Sequence, residues 1–127
     1  MEITTLPTAN IWLEKDQRML PFVLAHAHKD DRREEGEKKT LVWATGAGGH
    51  VDLLQDLALH IGEPREFVLN MRMRRVSVSG GGFLRIDVSW KRIELYGESR
   101  TYGREDDRSL SATLIRKQYP DFTVSSD

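Results

Sequence analysis

The chain has 127 residues and a formal net charge of -1, with 39% hydrophobic and 31% charged residues. This suits one domain over residues 1–127, with a modest core and a well-solvated surface. A near-neutral balance argues against a dedicated nucleic-acid or membrane-surface protein, and no apolar run approaches the ~20 residues that span a bilayer. Cysteine is absent, which removes disulfides, thiolate metal sites and cysteine nucleophiles. The opening Met1-Glu2-Ile3-Thr4-Thr5 lacks the basic start and apolar stretch of a secretory signal, so a cytoplasmic monomer is expected.

Along the chain, Pro21-Phe22-Val23-Leu24-Ala25-His26-Ala27-His28 reads as a buried strand that begins at its proline. Lys29 to Lys39 carries five bases and five acids and reads as a solvated loop. Thr40 to Ala44 is a second strand, followed by the glycine-rich Gly46-Ala47-Gly48-Gly49. From His50 the period changes to helical, with Val51, Leu54, Leu57, Ala58 and Ile61 on one face and Asp52, Gln55 and Asp56 on the other. Gly62 and Pro64 mark its end. Phe67 to Arg75 fits either a short helix or an entering strand. Val76-Ser77-Val78, then Gly80-Gly81-Gly82, then Leu84 to Val88 alternates at period two, and after a turn at Trp90-Lys91-Arg92 Ile93 to Tyr96 continues the antiparallel meander. Asp107 or Ser109 caps a second helix that carries Leu110, Leu114 and Ile115 and stops at Tyr119-Pro120. Phe122-Thr123-Val124 closes the chain as a strand. Many strands with two segregated helices make the expected fold class α+β.

Thr45-Gly46-Ala47-Gly48-Gly49-His50 is the most informative local feature. Glycines let several backbone N–H groups converge, and the helix N-terminus adds partial positive charge, so the turn suits phosphate or another anion. A P-loop lysine and the third glycine of a dinucleotide fingerprint are both missing. A plain strand-to-helix turn is the competing reading. A helix N-terminus disfavours a charged imidazole, and a neutral His50 beside an anion pocket can act as general base on water. Simple capping or packing would explain it equally. The second candidate loop is Gly97-Glu98-Ser99-Arg100-Thr101-Tyr102-Gly103, where amides, hydroxyls and a guanidinium can hold phosphate oxygens. An ordinary polar loop is the alternative. His26 and His28 share one strand face but have no identifiable acidic or histidine partner, so no metal site is assigned. His60 reads as a surface residue. Arg72-Met73-Arg74-Arg75 lacks interleaved aromatics and is not read as a nucleic-acid site.

Several of these residues carry a family resemblance. Gly80-Gly81-Gly82, thirteen residues, Tyr96-Gly97, Ser99 and Tyr102-Gly103 occur in that order. Ile115-Arg116-Lys117-Gln118 runs into Tyr119-Pro120-Asp121-Phe122, and His50-Val51-Asp52-Leu53 follows a tryptophan-bearing strand. Together with Phe22-Val23-Leu24 these motifs resemble the small phosphohistidine phosphatases, or Janus family, over nearly the whole chain. The resemblance implies an α+β domain with a mixed, mainly antiparallel sheet of about six strands packed between two helices. It also implies a phosphatase that needs no metal or cofactor and acts on a phosphohistidine-containing protein or another phosphoramidate. It maps the general base onto His50, the phosphate-binding backbone onto Gly49 and His50, and the second loop onto Ser99, Arg100 and Thr101.

This chain departs from the pattern in three places. The family's substrate-binding lysine falls on Pro21, and the basic residue after the triple glycine is Phe83, with Arg85 two further on. The segment between His50 and Gly80 is also longer. Arg100, Arg85 and Arg18 are the candidate replacements for the missing cation. Two functions remain open: hydrolysis of a P–N bond, or a catalytically weak module that binds a phospho-ligand or protein partner through the same cleft.

Overall fold

The computed structural model describes residues 2–33 and 36–127. After a 3-10 turn at Ile3–Thr5, the elements are β1 (Ala9–Ile11), β2 (Gln17–His28), β3 (Lys38–Ala44), α1 (His50–His60), α2 (Arg65–Leu69), β4 (Val76–Asp87), β5 (Arg92–Tyr96), α3 (Arg108–Gln118) and β6 (Thr123–Ser126). The six strands form one sheet in the order β1-β3-β2-β4-β5-β6. The outer pairs β1–β3 and β5–β6 are parallel and the three inner pairs antiparallel. The fold is α+β, as expected.

Strand alternation divides the core in two. Val23, Ala25, Ala27, Leu41 and Trp43 point to the face covered by α1, where they meet Leu53, Leu54, Leu57 and Ala58. Phe22, Leu24, Val42, Ala44, Leu84, Ile86, Ile93 and Leu95 point to the other face, against Ala112 and Ile115 of α3. The sheet therefore lies between two helices, and α2 adds one short turn beside α1. No helix of the described residues is long and apolar enough to cross a membrane.

Several local expectations need correction. β2 begins at Gln17, four residues before Pro21. Pro21 is tolerated inside it because the β2–β3 ladder reaches only to Val23–Trp43, so Pro21 pairs with Phe83 of β4 and has no partner on the other side. Gly80-Gly81-Gly82 is part of the meander. It lies within a continuous twelve-residue β4, with Ser79 left out of the β2–β4 register as a bulge. Phe67 to Arg75 resolves into the end of α2 and a connecting loop. In α1, Val51 is only half-buried while Leu53 is fully buried. Asp56 turns toward β3, accepting from Trp43 Nε1 at 2.8 Å and Thr45 Oγ1 at 2.7 Å. In the charged loop, Glu34 and Glu35 lie outside the described residues.

Candidate active site

The site is organised around Gly80-Gly81-Gly82. A side chain at Gly82 would place its Cβ 2.6 Å from the Tyr96 carbonyl oxygen, 2.8 Å from that of Gly97 and 2.9 Å from Arg108 Nη2. At Gly80, φ is +152° and an added Cβ would lie 2.8 Å from Glu105 Cα and 2.7 Å from the Arg104 carbonyl carbon, a conformation and a close approach that favour glycine. The triple glycine thus lets neighbouring backbone segments approach β4 closely.

Two loops use this surface. At the start of α1, His50 Nε2 lies 2.8 Å from the Gly82 carbonyl oxygen. A carbonyl can only accept, so Nε2 carries the proton and donates it, and the nitrogen left to act as a base is Nδ1. One residue earlier on β4, the Gly81 carbonyl accepts from Ser99 N at 3.0 Å, while Gly81 N donates to the Gly103 carbonyl at 2.9 Å. Successive residues of one strand therefore anchor the helix start and the Gly97–Gly103 loop. Tyr102 joins them from the other side by packing against the α1-side core. Burial pushes its phenol up, and the nearby Asp52 carboxylate of α1 pushes the same way.

The helix start is pre-formed. Asp52 Oδ2 accepts from Gly49 N at 2.8 Å, and Gly49 itself stays extended at φ -80° and ψ -174°. Because the Gly49 amide is engaged, the amides left open in the first turn are those after it, beginning with His50 and Val51. They carry the positive end of the helix dipole.

In the second loop, Ser99 is 2% exposed and its Oγ accepts from Tyr102 N at 3.0 Å, a local turn that shapes the loop. Arg100 and Thr101 are exposed. Among the described residues, no carboxylate lies within ion-pair distance of Arg100. The structure thus brings Gly49, His50 and Ser99 to adjoining backbone and leaves Arg100 and Thr101 at the loop surface. Of the other cation candidates, Arg85 is paired with Glu94 and lies 5.0 Å from the Tyr96 ring centroid. Arg18 is exposed, and its carbonyl accepts from Tyr96 Oη at 2.6 Å.

Sequence reasoning missed the tether beneath the second loop. Arg108 and Glu105 are 5% and 2% exposed. Arg108 Nη2 donates to the Gly97 carbonyl at 2.7 Å and to Glu105 Oε1 at 2.8 Å, and Nε donates to the same Oε1 at 3.0 Å. Glu105 Oε2 accepts from Ser111 Oγ at 2.5 Å. Arg108 Nη1 reaches Asp127 Oδ1 at 2.9 Å, and Asp127 Oδ2 accepts from Gly97 N at 3.1 Å. Burial alone would raise the Asp127 carboxyl, but the Gly97 amide and the two arginines hold it below its usual range. A signal was present: a cation at the first position of a helix opposes the dipole, so Arg108 needed a specific partner.

The remaining histidines lie elsewhere. Alternation along β2 puts His26 and His28 on the sheet face opposite α1. His26 bonds Thr40 Oγ1 at 2.8 Å and Ser79 Oγ at 2.6 Å, and His28 bonds Ser77 Oγ at 2.8 Å. Their partners are hydroxyls, a possibility that a search for carboxylates overlooks. His60 is exposed, with its ring 5.1 Å from that of Trp43. A surface groove of about 440 Å³, lined by Arg85, Asp87, Arg92, Ile93, Glu94, Thr123 and Ser125, does not include His50.

The glycine-anchored pair of loops sits inside the region that defines a known family. The model of the Janus/Ocnus family matches residues 5–123, and the chain belongs to that family. No curated protein matches the chain in sequence.

Proposed function

We propose that this Janus/Ocnus-family chain is a cytoplasmic enzyme that hydrolyses the P–N bond of phosphohistidine in a protein, or of a related phosphoramidate. The observation that carries this reading is the His50–Gly82 hydrogen bond, which leaves Nδ1 as a fixed base beside open helix-start amides. In the reaction, those amides and the Gly97–Gly103 loop hold the phosphoryl oxygens, with Arg100 and Thr101 completing the second side and buried Ser99 shaping the loop beneath them. His50 Nδ1 takes a proton from water as the water oxygen forms a bond to phosphorus. The P–N bond breaks and its electron pair returns to the leaving imidazole nitrogen. Departure is easy when the other ring nitrogen already carries a proton. His50 then releases its proton to solvent. Positioning and electrostatics suffice for so labile a bond, so the mechanism uses no metal.

The second reading, a weak enzyme that binds a phospho-ligand, is favoured by one observation. Pro21 and Phe83 face each other across β2 and β4 where the resemblance leads one to expect cations. Phosphate release from a phosphohistidine peptide, with and without His50, separates the two.

A further inference from the structure

Phe83 follows the glycine that orients His50, and its ring centroid is 5.1 Å from that of His50 at an interplanar angle of 76°. It is half-buried, so part of the ring remains open. Pro21 is its cross-strand neighbour on β2 and Tyr96 on β5. The Phe83 and Tyr96 rings are 5.9 Å apart. One wall beside the general base is therefore aromatic and apolar, and it continues into Tyr96. Arg85 already lies over the Tyr96 ring at 5.0 Å, with its charge paired to Glu94. A group whose phosphorus is within reach of His50 Nδ1 thus comes close to Phe83.

We infer that Phe83 is a specificity-determining residue, forming with Pro21 and Tyr96 a platform that selects phosphoryl compounds whose leaving group is a flat aromatic ring. This rests on the hydrolase reading above and narrows its substrate class to phosphohistidine over phospholysine. The chemistry favours that choice twice. A flat ring gains offset or edge-on contact with Phe83, which an aliphatic amine chain does not. A planar imidazolium can also stack its delocalised charge on an aromatic ring, which the tetrahedral ammonium of a protonated phospholysine cannot. An ammonium or guanidinium in place of Phe83 would bind the phosphoryl group but repel that imidazolium.

Binding of two phosphonates, measured by titration calorimetry or NMR, tests the inference without relying on turnover. Phenylphosphonate is expected to bind the wild-type protein at least fivefold more tightly than methylphosphonate. Phe83→Tyr is expected to keep that ratio and Phe83→Leu to bring it near one. Circular dichroism of each variant confirms that it is folded. Should Phe83→Leu fail to fold, the wild-type ratio and Phe83→Tyr decide. Equal affinity of the wild-type protein for both probes would overturn the role of Phe83, while phosphohistidine turnover would still support the hydrolase reading. Failure of both probes to bind would overturn the anion site, and the platform with it. In parallel, the wild-type kcat/KM ratio for phosphohistidine over phospholysine peptides of one sequence is expected to exceed that of Phe83→Leu. An unchanged ratio would contradict the assignment.

Discussion

His50 Nε2 lies 2.8 Å from the carbonyl oxygen of Gly82, and this one contact sets both the tautomer and the aim of the ring. Long-range proton–nitrogen NMR at neutral pH is expected to show His50 protonated at Nε2 and bare at Nδ1. A predominant Nδ1–H tautomer would leave Nδ1 unable to take a proton from water and would contradict the proposed role.

The buried Arg108–Glu105 pair holds the second loop to β4. Truncating one member leaves the other charge buried and unpaired, which typically costs ~3–5 kcal/mol. Arg108→Ala is therefore expected to lose about that much stability in urea unfolding. A loss below ~1 kcal/mol would show that the pair is not holding the loop.

These two relationships differ in how visible they were beforehand. The helix from His50 was legible because its apolar positions repeat locally, and so was the Asp107 cap, whose side chain accepts from Leu110 N at 3.2 Å. The glycine turn before His50 stood out as a candidate anion site for the same local reason. The role of Gly80-Gly81-Gly82 was not legible. Its glycines answer to Phe22, Tyr96, Gly97 and Glu105, residues that come close only in the folded sheet. β1 escaped notice because three residues are too few to show a period. Arg108 was conspicuous only as a cation at a helix start, and its partners Glu105, Gly97 and Asp127 converge on it only in the fold.

The histidines of β2 bear on pH rather than catalysis. Burial lowers the pKa of both: Lys38 and then His28 add to the effect at His26, and Arg33 and Lys38 add to it at His28. The unfolded chain then binds more protons than the native one just below the ordinary histidine value of ~6.5. Stability is expected to fall as pH drops below about 6.5, and His26→Gln with His28→Gln is expected to flatten that slope. Thermal melts from pH 7.5 to 5.5 check this, and a slope unchanged in the double variant would contradict it. The double variant is expected to keep most turnover.

Arg100 has no carboxylate partner among the described residues and sits between Ser99 and Thr101. Its fork can make two charge-assisted hydrogen bonds to a phosphoryl group. Arg100→Ala is expected to weaken inhibition by inorganic phosphate and to lower kcat/KM about tenfold, equivalent to ~1.4 kcal/mol. Arg100→Lys is expected to recover only part. Unchanged phosphate inhibition in Arg100→Ala would move the cation to Arg18 or Arg85.

The most direct measurement is phosphate release from a phosphohistidine peptide, followed by phosphorus NMR in the presence of EDTA, for wild-type protein and His50→Ala. His50 stands at the helix start and only partly buried, so the variant is expected to remain folded. The account predicts steady turnover by the wild type and none above the spontaneous rate by His50→Ala. Release at the same rate by both proteins, or none by the wild type, would contradict it.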